Sequence, residues 1–167
     1  VVGFSGDKLY LFPFRSLYGI SPGSVVEPLR QKLVVHCGEH MLGRVIDGLG
    51  RPLAGISSMP LGQAYPLDQA PPNPMSRTRI EDVLETGVKA IDLFLTAGHG
   101  QRLGIFAGSG VGKSTILGMI ARGSTADCNV IALVGERGRE VRDFLEKDLG
   151  PEGLRRSVVV VVTGVQS

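Results

Sequence analysis

The stretch Gly104-Ile105-Phe106-Ala107-Gly108-Ser109-Gly110-Val111-Gly112-Lys113-Ser114 decides how the rest of the chain is read. Gln101 to Ala107 is an apolar, strand-like run. It enters a glycine-rich turn and leaves it through Ser114 to Arg122, where Ile116, Leu117 and Ile120 fall on one helical face. A strand, a glycine-rich loop and a helix, with Gly-Lys-Ser at the junction, are the setting of a phosphate-binding loop. The glycines at 108, 110 and 112 let the backbone turn so that successive N–H groups, those of Ser109 and Val111 among them, converge on one anion. The helix start adds unpaired donors and the positive end of its dipole. Lys113 is placed for the β- and γ-phosphates, and the Ser114 hydroxyl, followed by Thr115, for Mg²⁺. ATP and Mg²⁺ are the ligands this predicts. One position departs from the usual pattern, Ala107 standing where a glycine is expected.

Downstream, Asn129 to Val134 predicts a strand and Glu140 to Leu149 a helix, with Val141, Phe144, Leu145 and Leu149 on its apolar face and Gly150-Pro151 closing it. Val158 to Val162 is an unbroken β-branched run, which suits a strand buried on both faces. Strands alternating with helices predict an α/β fold with a parallel sheet and crossover helices. Between the first of these strands and the helix lies Gly135-Glu136-Arg137-Gly138-Arg139-Glu140. Ligands of open parallel sheets bind outside the carboxyl ends of the strands, so Glu136 is expected on the rim that carries the phosphate loop. A carboxylate there can orient and polarise water for in-line attack on the γ-phosphate. Arg137 is expected to neutralise phosphate charge or brace Glu136, and Glu140 to hold a magnesium-bound water.

Upstream the composition changes twice. Residues 1–53 hold short apolar runs broken by turn signals and predict part of a small N-terminal β-barrel. Residues 54–76 carry five of the ten prolines and read as an extended linker. Residues 77–167 are the phosphate-loop domain, opened by a helical spacing over Ile80 to Leu95 that Thr86-Gly87 divides. The chain begins at Val1 and stops at Ser167 close to strand-like runs, which predicts a piece of a longer protein.

Composition sets the exclusions. The 167 residues are 43% hydrophobic and 20% charged, with a net charge of +2 and both signs interspersed. That balance is globular and makes no case for a nucleic-acid or membrane partner. No apolar run reaches the roughly 18 residues of a transmembrane helix, residues 1–30 show no basic-then-apolar pattern of the kind a signal peptide carries, and Cys37 and Cys128 stand too far apart for a disulfide framework. The chain reads as cytoplasmic. His36-Cys37-Gly38-Glu39-His40 lacks the helix that would aim its two histidines at one metal and reads as a solvated turn. Asp47 and Asp92 read as capping or surface groups.

The phosphate-loop segment, followed by Gly135-Glu136-Arg137-Gly138-Arg139-Glu140-Val141, resembles the ATPase of type III protein secretion and flagellar export, a relative of the catalytic β subunit of rotary ATP synthases. Gly43-Arg44-Val45-Ile46-Asp47-Gly48-Leu49-Gly50-Arg51-Pro52-Leu53, Pro71-Pro72-Asn73-Pro74 leading to Arg77, and Thr86-Gly87-Val88-Lys89-Ala90-Ile91-Asp92 resemble the same family in order. The resemblance implies a P-loop, RecA-like ATPase domain. In it Gly108, Gly110, Gly112, Lys113, Ser114 and Thr115 hold nucleotide phosphates, and Glu136 activates water. Arg137 stands beside the phosphates, and Glu140 is an outer acid. It further implies a homohexamer at the cytoplasmic face of the bacterial inner membrane, peripherally attached. Its partners would be secretion substrates, chaperones, stalk or stator proteins and an export gate. The alternatives are a catalytic β-type subunit of a rotary synthase, a hexameric nucleic-acid translocase and a non-catalytic nucleotide sensor. Near-neutral charge argues against the translocase.

In this family the magnesium-binding Asp, the arginine finger, the adenine contacts and a helical domain lie beyond the position of Ser167. An arginine finger is worth about 10³–10⁵ in rate. This chain alone is therefore expected to hydrolyse ATP barely above background, and a purified sample turning over more than about one ATP per second contradicts that.

Overall fold

The computed structural model describes residues 1–14, 17–55, 60, 62–108 and 110–163. The chain divides into two compact units, residues 1–31 and 32–167. In the first, β1 (Gly3–Ser5) and β2 (Lys8–Tyr10) form an antiparallel hairpin with Phe4 opposite Leu9. Gly6, at φ 59°, supplies the left-handed turn between them.

The second unit holds the site. Its central sheet has three strands, β4 (Arg44–Asp47), β9 (Ser157–Val162) and β8 (Asn129–Val134), in the order β4-β9-β8. Both pairings are parallel. The connection from β8 to β9 is helical from Gly138 to Arg155: α3 (Gly138–Asp143), a π-helical turn over Phe144–Leu149, and α4 (Gly150–Arg155). With α2 (Lys113–Gly123) these helices cover one sheet face. The core between them consists of Ile131, Leu133, Val159 and Val161 from the strands and Ala121, Val141, Phe144 and Leu149 from the helices. Gly118 brings α2 against the π-helical turn, since a Cβ there would lie 2.5 Å from the Asp148 carbonyl oxygen.

The opposite sheet face is more open. Val130 and Val134 are 73% and 70% exposed. An antiparallel pair of β3 (Val34–Cys37) and β5 (Gln63–Pro66) stands over part of it. Between this pair and the sheet lies an apolar cavity of about 550 Å³, lined by Val35, Tyr65, Val130, Val158 and Val160 among others. The valine run is thus buried on the helix side and only half-buried on the other.

Several local expectations change. Ile80 to Thr86 is not helical. Val83–Leu84 (β6) pairs with Ala97–Gly98 (β7), and only Lys89–Phe94 (α1) is a helix. The cause is Gly87 at φ 75°, with Asp92 folded back on the turn. Gln101 to Ala107 makes no strand pairing, and Phe106 is 96% exposed. In the sheet β9 is central, with β4 on one side and β8 on the other, and residues 101–107 join neither outer strand. Gly150-Pro151 does not end the helical crossover but starts α4, because proline is compatible with a first helical turn. The proline-rich residues 54–76 include β5, and β4 joins the nucleotide-side sheet, so the contact boundary falls after Gln31.

Asp92 braces the start of this region. Its carboxylate accepts hydrogen bonds from Thr86 N at 2.8 Å, Thr86 Oγ1 at 2.7 Å and Gly87 N at 3.1 Å. These donors, the Thr86 hydroxyl foremost, hold its pKa below the ordinary carboxylate value against the opposing effect of desolvation. A depressed carboxylate stabilises the fold above its unfolded value of about 3.9 and loses that contribution as pH falls through its folded value. Asp92→Asn is expected to lower the thermal midpoint at pH 7 and to have no effect at a pH below both values. Thermal melts of both proteins across pH 2–7 check this.

Candidate functional site

The phosphate loop leads into α2 through two glycines in the left-handed region, Gly110 at φ 76° and Gly112 at φ 93°. L residues with a side chain rarely adopt these angles, so both positions favour glycine. Gly112 caps α2, and its carbonyl accepts Ile116 N at 3.0 Å. A Cβ at Gly108, Gly110 or Gly112 would meet no atom within 4 Å, so it is the backbone angles of Gly110 and Gly112, and not crowding, that favour glycine there. Ser109 lies outside the described residues. Val111 is exposed at the loop tip, and Lys113, Ser114 and Thr115 form the exposed first turn of α2.

Glu136 comes from the other direction. It follows β8 and Gly135, whose N–H donates to the Val162 carbonyl at 2.8 Å and so fixes the end of β8 against β9. Gly135 turns the chain at φ 74°. The outcome is Lys113 Nζ at 3.5 Å from Glu136 Oε1, across 23 residues of sequence. The side chains are 53% and 31% exposed, open to a ligand between them. The sheet thus gathers the two residues that the sequence placed on one rim. An exposed pair at this distance is worth about 1 kcal/mol or less, which a polyphosphate competing for the ammonium can displace.

Arg137 and Glu140 behave differently. Arg137 Nη1 lies 3.4 Å from Glu140 Oε1 one turn along α3, and the guanidinium braces Glu140 and not Glu136. Asp47 and Asp92 are capping groups: Asp47 accepts the N–H groups of Leu49 and Arg51 and the Arg51 Nε. Glu39 and His40 sit in a short 3-10 turn beside β3, and no group of three potential metal ligands occurs among the described residues. The apolar cavity is lined by none of the phosphate-loop residues and is separate from this site. Sequence reasoning passed over Gly118, whose signal was a glycine inside a helical run, a position that costs about 1 kcal/mol unless packing requires it.

The chain is similar to known proteins over nearly its whole length. Residues 87–167 match the ATP synthase alpha/beta family, nucleotide-binding domain. The chain is 54% identical over 167 residues to the flagellum-specific ATP synthase of Bacillus subtilis, covering 99% of this chain and 38% of that protein. It is 50% identical to the type 3 secretion system ATPase of Xanthomonas euvesicatoria, covering 100% of this chain and 38% of the relative. Among solved structures, the assembled ATPase EscN in complex with its central stalk EscO, from the type III secretion system of enteropathogenic E. coli, aligns with a TM-score of 0.80 at 46% identity. That alignment covers 90% of this chain and 37% of the EscN chain. The chain therefore spans less than two fifths of the length of these relatives. With a parallel sheet, a phosphate loop heading α2 and Glu136 opposite Lys113, the chain is similar over nearly its whole length to parts of flagellum-specific ATP synthases and type 3 secretion system ATPases, and over residues 87–167 to the nucleotide-binding domain of the ATP synthase alpha/beta family.

Proposed function

We propose that this chain is the phosphate-loop part of an ATP-hydrolysing motor that energises protein export through a flagellar or type III secretion apparatus. The observation that carries the reading is the Lys113–Glu136 approach of 3.5 Å between the head of α2 and the end of β8. The loop amides after Gly108 and the Lys113 ammonium bind the phosphates of ATP. Ser114 and Thr115 stand at the same helix start. A serine hydroxyl is a hard oxygen donor suited to Mg²⁺, and its exposed place in the first turn fits that ion. Ser114 would hold Mg²⁺ there, and the ion would supply positive charge to the bound phosphates. Glu136 orients the attacking water and accepts its proton, and once ATP engages Lys113 the carboxylate is released for that task. Arg137, held by Glu140, supplies positive charge at the rim.

By kinship with the relatives above, the whole protein works as a homohexamer with a central stalk. It lies in the cytoplasm against the inner membrane and acts on export substrates and their chaperones. No helix among the described residues is long and apolar enough to cross a membrane. The test is a calorimetric titration of the chain with ATP, with and without Mg²⁺, and with single-stranded DNA. Saturable ATP binding that Mg²⁺ tightens, with no salt-dependent DNA binding, supports the reading. Salt-dependent DNA binding without ATP binding overturns it.

A further inference from the structure

The end of α2 remote from the phosphate loop is held by side chains that the site leaves unused. A helix lacks internal donors for its last carbonyls. Here Asn129 Nδ2 donates to the Ala121 carbonyl at 2.8 Å and to Ser157 Oγ at 3.3 Å. Arg156 Nη2 donates to the Ser124 carbonyl at 3.0 Å and to that of Ala126. The fully buried Ser157 hydroxyl in turn donates to the Gly153 carbonyl at 2.6 Å. The backbone closes the cluster, with Asn129 N donating to the Arg156 carbonyl at 2.9 Å. Among the described residues Arg156 has no carboxylate partner. Its charge is committed to carbonyls at a helix C-terminus, where the dipole favours a cation.

The placement gives the cluster a consequence at the other end. Asn129 begins β8, and Arg156 stands immediately before β9. One set of hydrogen bonds therefore ties the tail of α2 to the starting ends of both strands. The opposite ends of α2 and β8 carry Lys113 and lead to Glu136. The 11 residues of α2 form a rod roughly 16 Å long. Where its tail sits relative to β8 sets where its head sits relative to Glu136.

We propose that Arg156, together with Asn129, is a positioning residue for nucleotide binding: it fixes the register of α2 against β8 and thereby the place of Lys113 opposite Glu136. This rests on the reading that ATP binds at Lys113. The test uses the full chain with Arg156→Ala, Arg156→Lys and Asn129→Ser. ATP affinity in the presence of Mg²⁺ is measured at a temperature where circular dichroism shows each protein folded, and thermal midpoints are recorded separately. Arg156→Ala is expected to bind ATP about fivefold or more weakly per folded molecule, and Asn129→Ser to weaken in the same direction. Arg156→Lys, which keeps the cation but loses the planar fork, is expected to recover part of the loss. Lower midpoints with affinity unchanged within about twofold would mean a structural role only and overturn the proposal. Should Arg156→Ala fail to fold, the same criterion applies to Asn129→Ser. Lys113→Ala in the same assay separates two failures. If the unsubstituted chain binds no ATP, the functional reading falls. If it binds ATP, loses it in Lys113→Ala and keeps it in the Arg156 and Asn129 variants, only the positioning role falls.

Discussion

Lys113→Ala is expected to weaken ATP binding by about ten- to a hundredfold while leaving the fold almost untouched. The two halves of that expectation come from different magnitudes. A hydrogen bond to a charged group contributes about 1.5–3 kcal/mol, and each 1.4 kcal/mol is tenfold in affinity. On the proposed reading the Lys113 ammonium is the cation that meets the phosphates, and it stands on the exposed first turn of α2. The fold, by contrast, loses only a 3.5 Å ion pair whose side chains are 53% and 31% exposed. Such pairs are worth about 1 kcal/mol or less. Calorimetric titration with ATP, beside a thermal melt of each protein, measures both halves. Unchanged affinity would place the nucleotide elsewhere.

Leu149→Ala is expected to do the reverse, destabilising the fold by about 2–5 kcal/mol through lost burial and the cavity left behind. Leu149 has no exposed surface and closes the π-helical turn in the centre of the core cluster. For a chain of this size that corresponds to a midpoint lowered by roughly 4–20 °C. Val134→Ala is the matched control. Val134 lies in the same sheet but is 70% exposed on the opposite face, so its truncation is expected to cost about 0.5 kcal/mol or less. Thermal melts of the two variants test which face of the sheet carries the core. Equal shifts would contradict the one-sided burial described above.

The parts of the fold that were legible in the sequence are those whose signal is local. The Asn129–Val134 strand and the helix following the phosphate loop occur where their spacing placed them. So does the approach of Glu136 to Lys113, because the end of a parallel strand and the head of its neighbouring helix share a rim whatever the details. The parts that depend on distant partners were not legible. Gln101 to Ala107 has strand-like residues, yet a strand forms only where a partner pairs with it, and these residues pair with neither outer strand of the β4-β9-β8 sheet. Ile80 to Leu84 has apolar spacing that fits a helix, but β7 lies within reach and Asp92 draws Thr86 and Gly87 into a turn. The π-helical turn left a trace that was read as ordinary helix: Phe144 and Leu149, both buried, stand five residues apart. Asn129, Arg156 and Ser157 form no motif, since their meeting depends on how α2 lies across the strands. The pairing of Arg137 with Glu140 was equally hidden, because i, i+3 proximity on α3 outcompetes the adjacent Glu136.

The account rests on ATP lying between the head of α2 and the end of β8. The most direct measurement is hydrogen exchange of the chain, resolved by residue, with and without ATP and Mg²⁺. The prediction is slowed exchange at the amides of Gly110 to Thr115, a smaller change around Glu136, and no change in the β1–β2 hairpin or around the apolar cavity. Protection confined to the cavity-lining strands, or none at any concentration of ATP, would contradict it.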